Sequence, residues 1–203
     1  MVKIKINKSE VDKFMKVKGN VTGALIKAQH QFILNKKGKE GVAKVEERLK
    51  ELGYPLDLDK ISSFGWYSAA YICLICLVIL EAFDWDEQKA YDIGYDSPLY
   101  AILTKLLIKY LVSLDKVFPQ IPRYWDKHYD FGAMKGIKLD QKNKYVIMRL
   151  TGFKKVHPIW YIQARGYLAR LVGMCTRSSN VHAEQTKSVY KNDSYDEFKL
   201  TWE

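Results

Sequence analysis

Cysteine is scarce in this chain: Cys73, Cys76 and Cys175 are the only three in 203 residues. Three thiols cannot build a disulfide framework, and two of them fall in an apolar run, which points to a reducing, cytoplasmic setting. The four histidines, His30, His128, His157 and His182, are scattered, with no His, Cys or Asp partner at ligand spacing on one helix, so no metal site is expected. Cys73 and Cys76 form a Cys-x-x-Cys pair in the middle of that apolar run. With no cation nearby to stabilise a thiolate, they read as two small buried hydrophobes rather than a redox or metal pair. The chain also lacks a Gly-x-Ser-x-Gly elbow, a phosphate-binding P-loop and a Gly-x-Gly-x-x-Gly turn, which removes the commonest catalytic and nucleotide-binding frames. Internal repeats and low-complexity segments are absent. The first 20 residues hold six lysines and no apolar core of a signal peptide.

Charge is missing over one long stretch. From Ile61 to Leu80 no side chain is ionisable as an acid or a base of the Asp, Glu, Lys or Arg type. A helix apolar on all sides must be buried, either in lipid or in protein. Ser62, Ser63, Gly65 and Ser68 dilute its first third, and the strongly apolar part is nearer 12 residues, the length of a core helix. The expectation is a buried central helix reaching about Phe83, with no membrane span.

Elsewhere charge is plentiful and unbalanced. Thirty-three basic residues against 23 acidic ones give a net charge of +10, while Glu81–Asp96 carries six acids and one lysine. An anionic partner such as nucleic acid or a membrane surface is one reading; a lysine-rich solvated surface is the preferred one, because no basic tail or nucleic-acid motif accompanies the charge.

The periodicity gives an α+β fold. Met1–Asn7 alternates like a short arm. Apolar positions at Val21, Leu25, Ile26, Ala28, Phe32 and Ile33 predict a first helix, Gly38 and Gly41 interrupt it, and Val42, Val45, Leu49 and Leu52 predict a second. Gly53-Tyr54-Pro55 reads as its stop. After the central helix, Asp84–Glu87 opens a short helix to about Gly94, and Asp96-Ser97-Pro98 carries the start signal of another, with Leu99, Leu106 and Leu114 on its inner face. From Gly132 onward the period becomes two. Ala133–Asp140 with Lys144–Thr151, and Val181–Tyr190 with Tyr195–Trp202, are predicted hairpins flanking a helix opened by His157-Pro158. The expected layout is one domain over 1–203: a helical subdomain, 1–130, packed with a subdomain, 131–203, built as β-hairpin, helix, β-hairpin around a four-stranded antiparallel sheet.

Aromatic residues make up 13% of the chain, and they cluster. Trp66, Tyr67 and Tyr71 begin the central run. Arg123, Tyr124, Trp125, His128 and Tyr129 sit where the helical half meets the sheet half. Rings with a few polar tips at such a junction suit a small-molecule pocket; they equally suit interface packing.

Several phrases, in order, resemble one superfamily. They are Val17-Lys-Gly-Asn-Val21, Phe64-Gly-Trp-Tyr67, the run from Pro122 through Arg123, Trp125 and His128 to Gly132, Arg149-Leu-Thr-Gly-Phe153 with His157-Pro158, and the ending Asn192 to Trp202. Together they are similar to the group that joins haem nitric-oxide-binding (H-NOX) domains, 4-vinyl-reductase domains and a related bacterial branch, over nearly the whole chain from Val17. The resemblance implies a sensory, ligand-binding and non-enzymatic module, commonly a homodimer, that signals through a protein partner; vesicle-tethering subunits share the fold. Phe118 stands where the family's haem-ligating histidine is expected, and the Tyr-x-Ser-x-Arg motif for the haem propionates is not present. Ser188 and Asp196 stand where the reductase branch carries cysteines. Haem and a cysteine-bound metal are therefore not expected, because iron needs an axial ligand that a phenyl ring cannot give.

The expected site is a pocket for a small hydrophobic or aromatic ligand, lined by Trp66, Tyr67, Tyr71, Phe118, Trp125 and Tyr129. Arg123 and His128 would supply its polar tip. No catalytic residue is assigned. The alternatives are a structural adaptor of the tethering type, or a tetrapyrrole protein binding haem or a chlorophyll precursor, including the reductase itself.

Overall fold

In a computed structural model, which describes residues 4–100 and 113–203, the uncharged stretch divides in two. Only Ala70–Ala82 is helix; Trp66–Ser68 is a strand, and Ile61–Gly65 is turn. The absence of charge predicts one helix through this stretch, reaching about Phe83. Ser62, Ser63 and Gly65 suit a turn as well as a helix cap, and the strand finds its partner in Asn20–Thr22, 46 positions earlier, where Val21 pairs with Tyr67.

In chain order, α1 is Lys8–Phe14, β1 Asn20–Thr22, α2 Gly23–Glu51, β2 Trp66–Ser68, α3 Ala70–Ala82 and α4 Glu87–Tyr100. Beyond the undescribed residues come α5 Leu114–Val117, a short 3-10 turn, α6 Ile121–His128, β3 Ala133–Asp140, β4 Tyr145–Thr151, α7 Ile159–Thr176, β5 Val181–Lys187 and β6 Asp196–Trp202. Most of the helix expected between Leu99 and Leu114 falls in residues 101–112, outside those described. The arm at Met1–Asn7 gives way to α1, a short helix capped by Asn7, whose side chain accepts from the Glu10 amide at 2.8 Å.

The two helices expected on either side of Gly38 are one rod with a joint. Gly38 takes φ 66° and ψ −168°, a region in which a side chain is strained, and helical turns continue on both sides. The stop at Gly53 is a Schellman-type end, with the Tyr54 amide donating to the Leu49 carbonyl at 2.9 Å and the Gly53 amide to Lys50 at 2.9 Å.

The break predicted before Pro98 does not occur, because α4 runs through it with Pro98 buried inside. Packing overrides the start signal. α4 lies directly on α7, where a Cβ on Gly94 would sit 1.9 Å from the Gln163 carbonyl oxygen and one on Gly166 would sit 2.1 Å from that of Tyr91. Two glycines facing opposite backbones let the helices touch main chain to main chain. The Arg170 guanidinium, 4.7 Å from the Tyr95 ring, continues the seam.

α3 is the centre of the core, with ten of the eleven residues from Ala70 to Leu80, all but Tyr71, fully or nearly fully buried. Its one acid, Glu81, accepts from Arg48 Nε at 2.7 Å and from the Ile6 amide at 3.0 Å, which ties α2 and the N-terminal segment to it. No helix among the described residues is long and apolar enough to cross a membrane.

The fold is α+β. Its four-stranded sheet is antiparallel throughout in the order β3-β4-β6-β5, two hairpins joined through their second strands. Val146, Met148 and Leu150 of β4 and Phe198 and Leu200 of β6 are buried. On alternate positions Arg149 pairs across the strands with Glu197 at 2.9 Å.

Candidate functional site

Between the helical half and the sheet half lies a cavity of about 180 Å3. α2 contributes Leu25 and Gln29, α3 Ile72, and α4 Gly94 and Ser97. α5 and α6 contribute Leu114, Val117, Ile121, Tyr124, Trp125 and His128, and Tyr129 follows. The sheet adds Met134 and Met148, and one side of α7 supplies Trp160, Gln163, Tyr167, Leu171 and Cys175 among others. No Asp, Glu, Lys or Arg stands among the described lining residues, so the cavity favours neutral, apolar contents.

One end is an aromatic wall. The Trp125 and Tyr129 rings stack with centroids 4.0 Å apart at 8°, and Trp160 stands edge-on to both at 6.2 Å. Trp125 Nε1 donates to the carbonyls of Phe131 and Gly132 at 3.0 and 3.1 Å, and Trp160 Nε1 donates to the Tyr129 hydroxyl at 3.2 Å. The ring nitrogens are thus satisfied by the protein, and the wall presents carbon. Burial pushes the Tyr129 hydroxyl far up, so it stays protonated. β1 holds this wall in place, since Val21 bridges to Tyr129 and the Asp130 carboxylate accepts from the Asn20 backbone amide at 2.6 Å and side-chain amide at 2.7 Å.

His128 shares a 2.8 Å hydrogen bond between Nδ1 and Thr22 Oγ1. Burial, helped by neighbouring Lys127, lowers its pKa, so the ring is neutral at pH 7. Cys175 also lines the cavity, and burial raises its thiol, which keeps it from acting as a thiolate nucleophile.

The polar feature that sequence reasoning missed is a pair of glutamines. Gln29 Nε2 donates to Gln163 Oε1 at 2.6 Å and to the Ile72 carbonyl at 3.0 Å. Gln29 Oε1 and Gln163 Nε2 are buried with no hydrogen-bond partner. A signal existed in the sequence. Gln29 occupies an inward position in the row Leu25, Gln29, Phe32, and Gln163 does so in the row Ile159, Gln163, Gly166.

The eight residues expected to form the pocket separate. Trp125, His128 and Tyr129 line the cavity. Trp66 is 51% exposed on β2, and Tyr67 beside it accepts from the Ser62 amide at 3.0 Å. Tyr71 is half-buried on α3, away from the cavity lining. Phe118 lays its ring over Gly136 of β3, where a Cβ would meet it at 2.4 Å. Arg123 is exposed and cannot serve as the polar tip from where it stands. At the positions compared with the reductase cysteines, Asp196 is buried and accepts from the Tyr161 hydroxyl at 3.0 Å, Gln185 Nε2 at 3.1 Å and the Val189 amide at 3.0 Å. Ser188 caps the turn that follows β5. No group of three or more metal-ligating side chains occurs among the described residues.

No family model and no curated protein matches this chain. Solved structures do. An H-NOX protein from S. oneidensis in the Fe(II)NO ligation state superposes with a TM-score of 0.66 at 10% identity, over 90% of this chain and 99% of that one. This chain has the H-NOX fold. An oxygen-binding H-NOX domain related to soluble guanylate cyclases, in its oxygen complex, matches with a TM-score of 0.60 at 10% identity, over 90% and 95% of the two chains. An H-NOX domain from Shewanella oneidensis in the Fe(II)CO state gives 0.67 at 9% identity, over 90% and 98%. At such identities the shared property is the fold.

The H-NOX fold raises the question of whether haem suits these residues. A cavity of about 150 Å3 holds benzene. At about 180 Å3 this one has room for a single ring. The described lining holds one histidine, His128, already engaged by Thr22, and no basic side chain for propionates.

Proposed function

We propose that this chain is a non-enzymatic sensory or regulatory domain that binds a compact, neutral, apolar or aromatic molecule between its helical and sheet halves. The supporting observation is the cavity itself: single-ring in size, walled by Trp125, Tyr129 and Trp160, free of formal charge along its described lining, and carrying one buried amide pair. A cavity left open in a core otherwise closely packed loses dispersion contacts, and an occupant restores them. Haem is not the ligand in this reading, because the described lining gives iron no unengaged histidine. The H-NOX structures with NO, CO and O2 supply the precedent of ligand binding on this fold, here turned to a different ligand. An adaptor of the tethering type would call for a filled core, and the cavity argues against it.

Mass spectrometry of an organic extract, with an absorption spectrum of the same purified protein, tests the reading. A low-mass neutral compound near one equivalent and no Soret band are expected. A Soret band from coordinated haem, or an empty extract from protein whose melting temperature no single-ring compound raises, overturns it.

A further inference from the structure

Building on that reading, we infer that the Gln29–Gln163 pair recognises ligands whose polar edge carries a hydrogen-bond donor beside an acceptor, of the primary-amide or lactam class on a single-ring body. The two side chains come from α2 and α7, so the pair spans the cavity's helical wall from two sides. Both line the cavity and both are more than nine-tenths buried. Their mutual hydrogen bond uses the Gln29 amide nitrogen and the Gln163 oxygen, which leaves Gln29 Oε1 as an acceptor and Gln163 Nε2 as a donor without partners.

The polarity of the pair is fixed by the backbone. Reversing the Gln29 amide would place its oxygen at 3.0 Å from the Ile72 carbonyl and 2.6 Å from Gln163 Oε1. Reversing Gln163 alone would set nitrogen against nitrogen. Reversing both still opposes oxygen to the Ile72 carbonyl. The pair therefore leaves one acceptor and one donor open, and a buried polar group left unpaired is costly enough that something is expected to meet it.

Four simple chemistries can be compared with that requirement. A hydrocarbon satisfies neither atom. A ketone can accept from Gln163 but leaves Gln29 Oε1 open. A carboxylate accepts twice, repels Gln29 Oε1 and brings a charge into a cavity whose described lining offers no cation. A primary amide or lactam carries N–H beside C=O, stays neutral at pH 7, and complements both open atoms while its ring packs on Trp125 and Tyr129. A site built on paired hydrogen bonds rejects analogues that lack them more strongly than it rejects a change of one methylene.

Isothermal titration of the purified protein with benzamide, acetophenone, benzoate and ethylbenzene tests the inference. Benzamide is expected to bind at least about tenfold more tightly than each of the others, the ratio given by one well-formed buried hydrogen bond. In Gln163→Met, a near-isosteric change, benzamide is expected to fall to the level of acetophenone while ethylbenzene is unchanged or improved; Gln29→Met serves as the second variant if the first does not fold. Equal binding of benzamide, acetophenone and ethylbenzene would mean that a bound water alone caps the pair. That result refutes the amide specificity and leaves the pocket intact. Failure of all four to bind removes the pocket reading itself, and the amide inference with it.

Discussion

Gly38 and two half-buried histidines show how much single residues decide here. The φ of 66° with ψ of −168° at Gly38 lies where only glycine is at ease, and no neighbouring atom comes within 4 Å of a Cβ built there. Gly38→Ala therefore meets backbone strain without a clash. It is expected to destabilise the protein by about 1–2 kcal/mol in a denaturant titration. Among the histidines, His128 is held by Thr22, and His157 Nδ1 accepts from the Ile159 amide at 3.1 Å as α7 begins. Burial lowers both pKa values below the usual 6.5, and nearby Glu10 only partly offsets this at His157. In the unfolded chain both rings take up protons as the pH falls through about 6.5, while the folded protein resists until a lower pH. The stability they allow is thus complete above about pH 6.5 and is lost as the pH drops from there toward their folded values. Melting temperature is expected to hold above about pH 6.5 and to decline from there toward pH 5.5, and the decline should flatten in a His128→Gln, His157→Gln double variant.

At the scale of elements, the hairpins were plain in the sequence and the aromatic end of the central run was not. Ala133–Thr151 and Val181–Trp202 alternate over short distances around polar turns, so local order alone exposes them. Trp66–Ser68 becomes a strand through pairing with Asn20–Thr22, a partner that no local period reveals. Trp66 therefore faces solvent, although as part of a helix it would have been counted with the pocket. α4 gives the converse lesson. Asp96-Ser97-Pro98 has the chemistry of a helix start, and the Ser97 hydroxyl instead donates to the Ile93 carbonyl at 2.7 Å within an unbroken helix, because Gly94 is pressed onto α7. That contact gives a direct prediction. Gly94→Ala drives a methyl group into a backbone oxygen that cannot rotate away, and it is expected to cost about 2–3 kcal/mol in thermal or chemical unfolding. The same displacement moves Gln163 and should weaken benzamide binding alongside stability.

Across the whole molecule, composition and patterning conveyed the class of fold better than the place of its site. Scarce cysteine, an uncharged run short for a membrane, and a change of period at Gly132 lead to an α+β chain with a buried central helix. The junction of the two halves was legible as a region, since Trp125, His128 and Tyr129 stand next to one another in sequence and on the cavity wall. The amide pair was hidden because its members lie 134 positions apart and each alone looks like an ordinary polar residue on a helix. The apolar rows mark each as inward, and only packing shows that the two meet. The H-NOX fold, matched at about 10% identity, fits this division: the topology is shared where nearly all side chains differ.

The link between Asn20 and Asp130 also bears on the order in which the molecule assembles. Its ends are 110 positions apart, and closing a loop of that length costs about 4 kcal/mol of chain entropy. Neither three-residue strand can offset that cost alone, whereas the hairpins and helices form from near neighbours. The ribbon at β1 and β2 is therefore expected to dock late in folding. The aromatic wall it fastens at Tyr129 would be the last part of the cavity to close during folding and the first to open during unfolding.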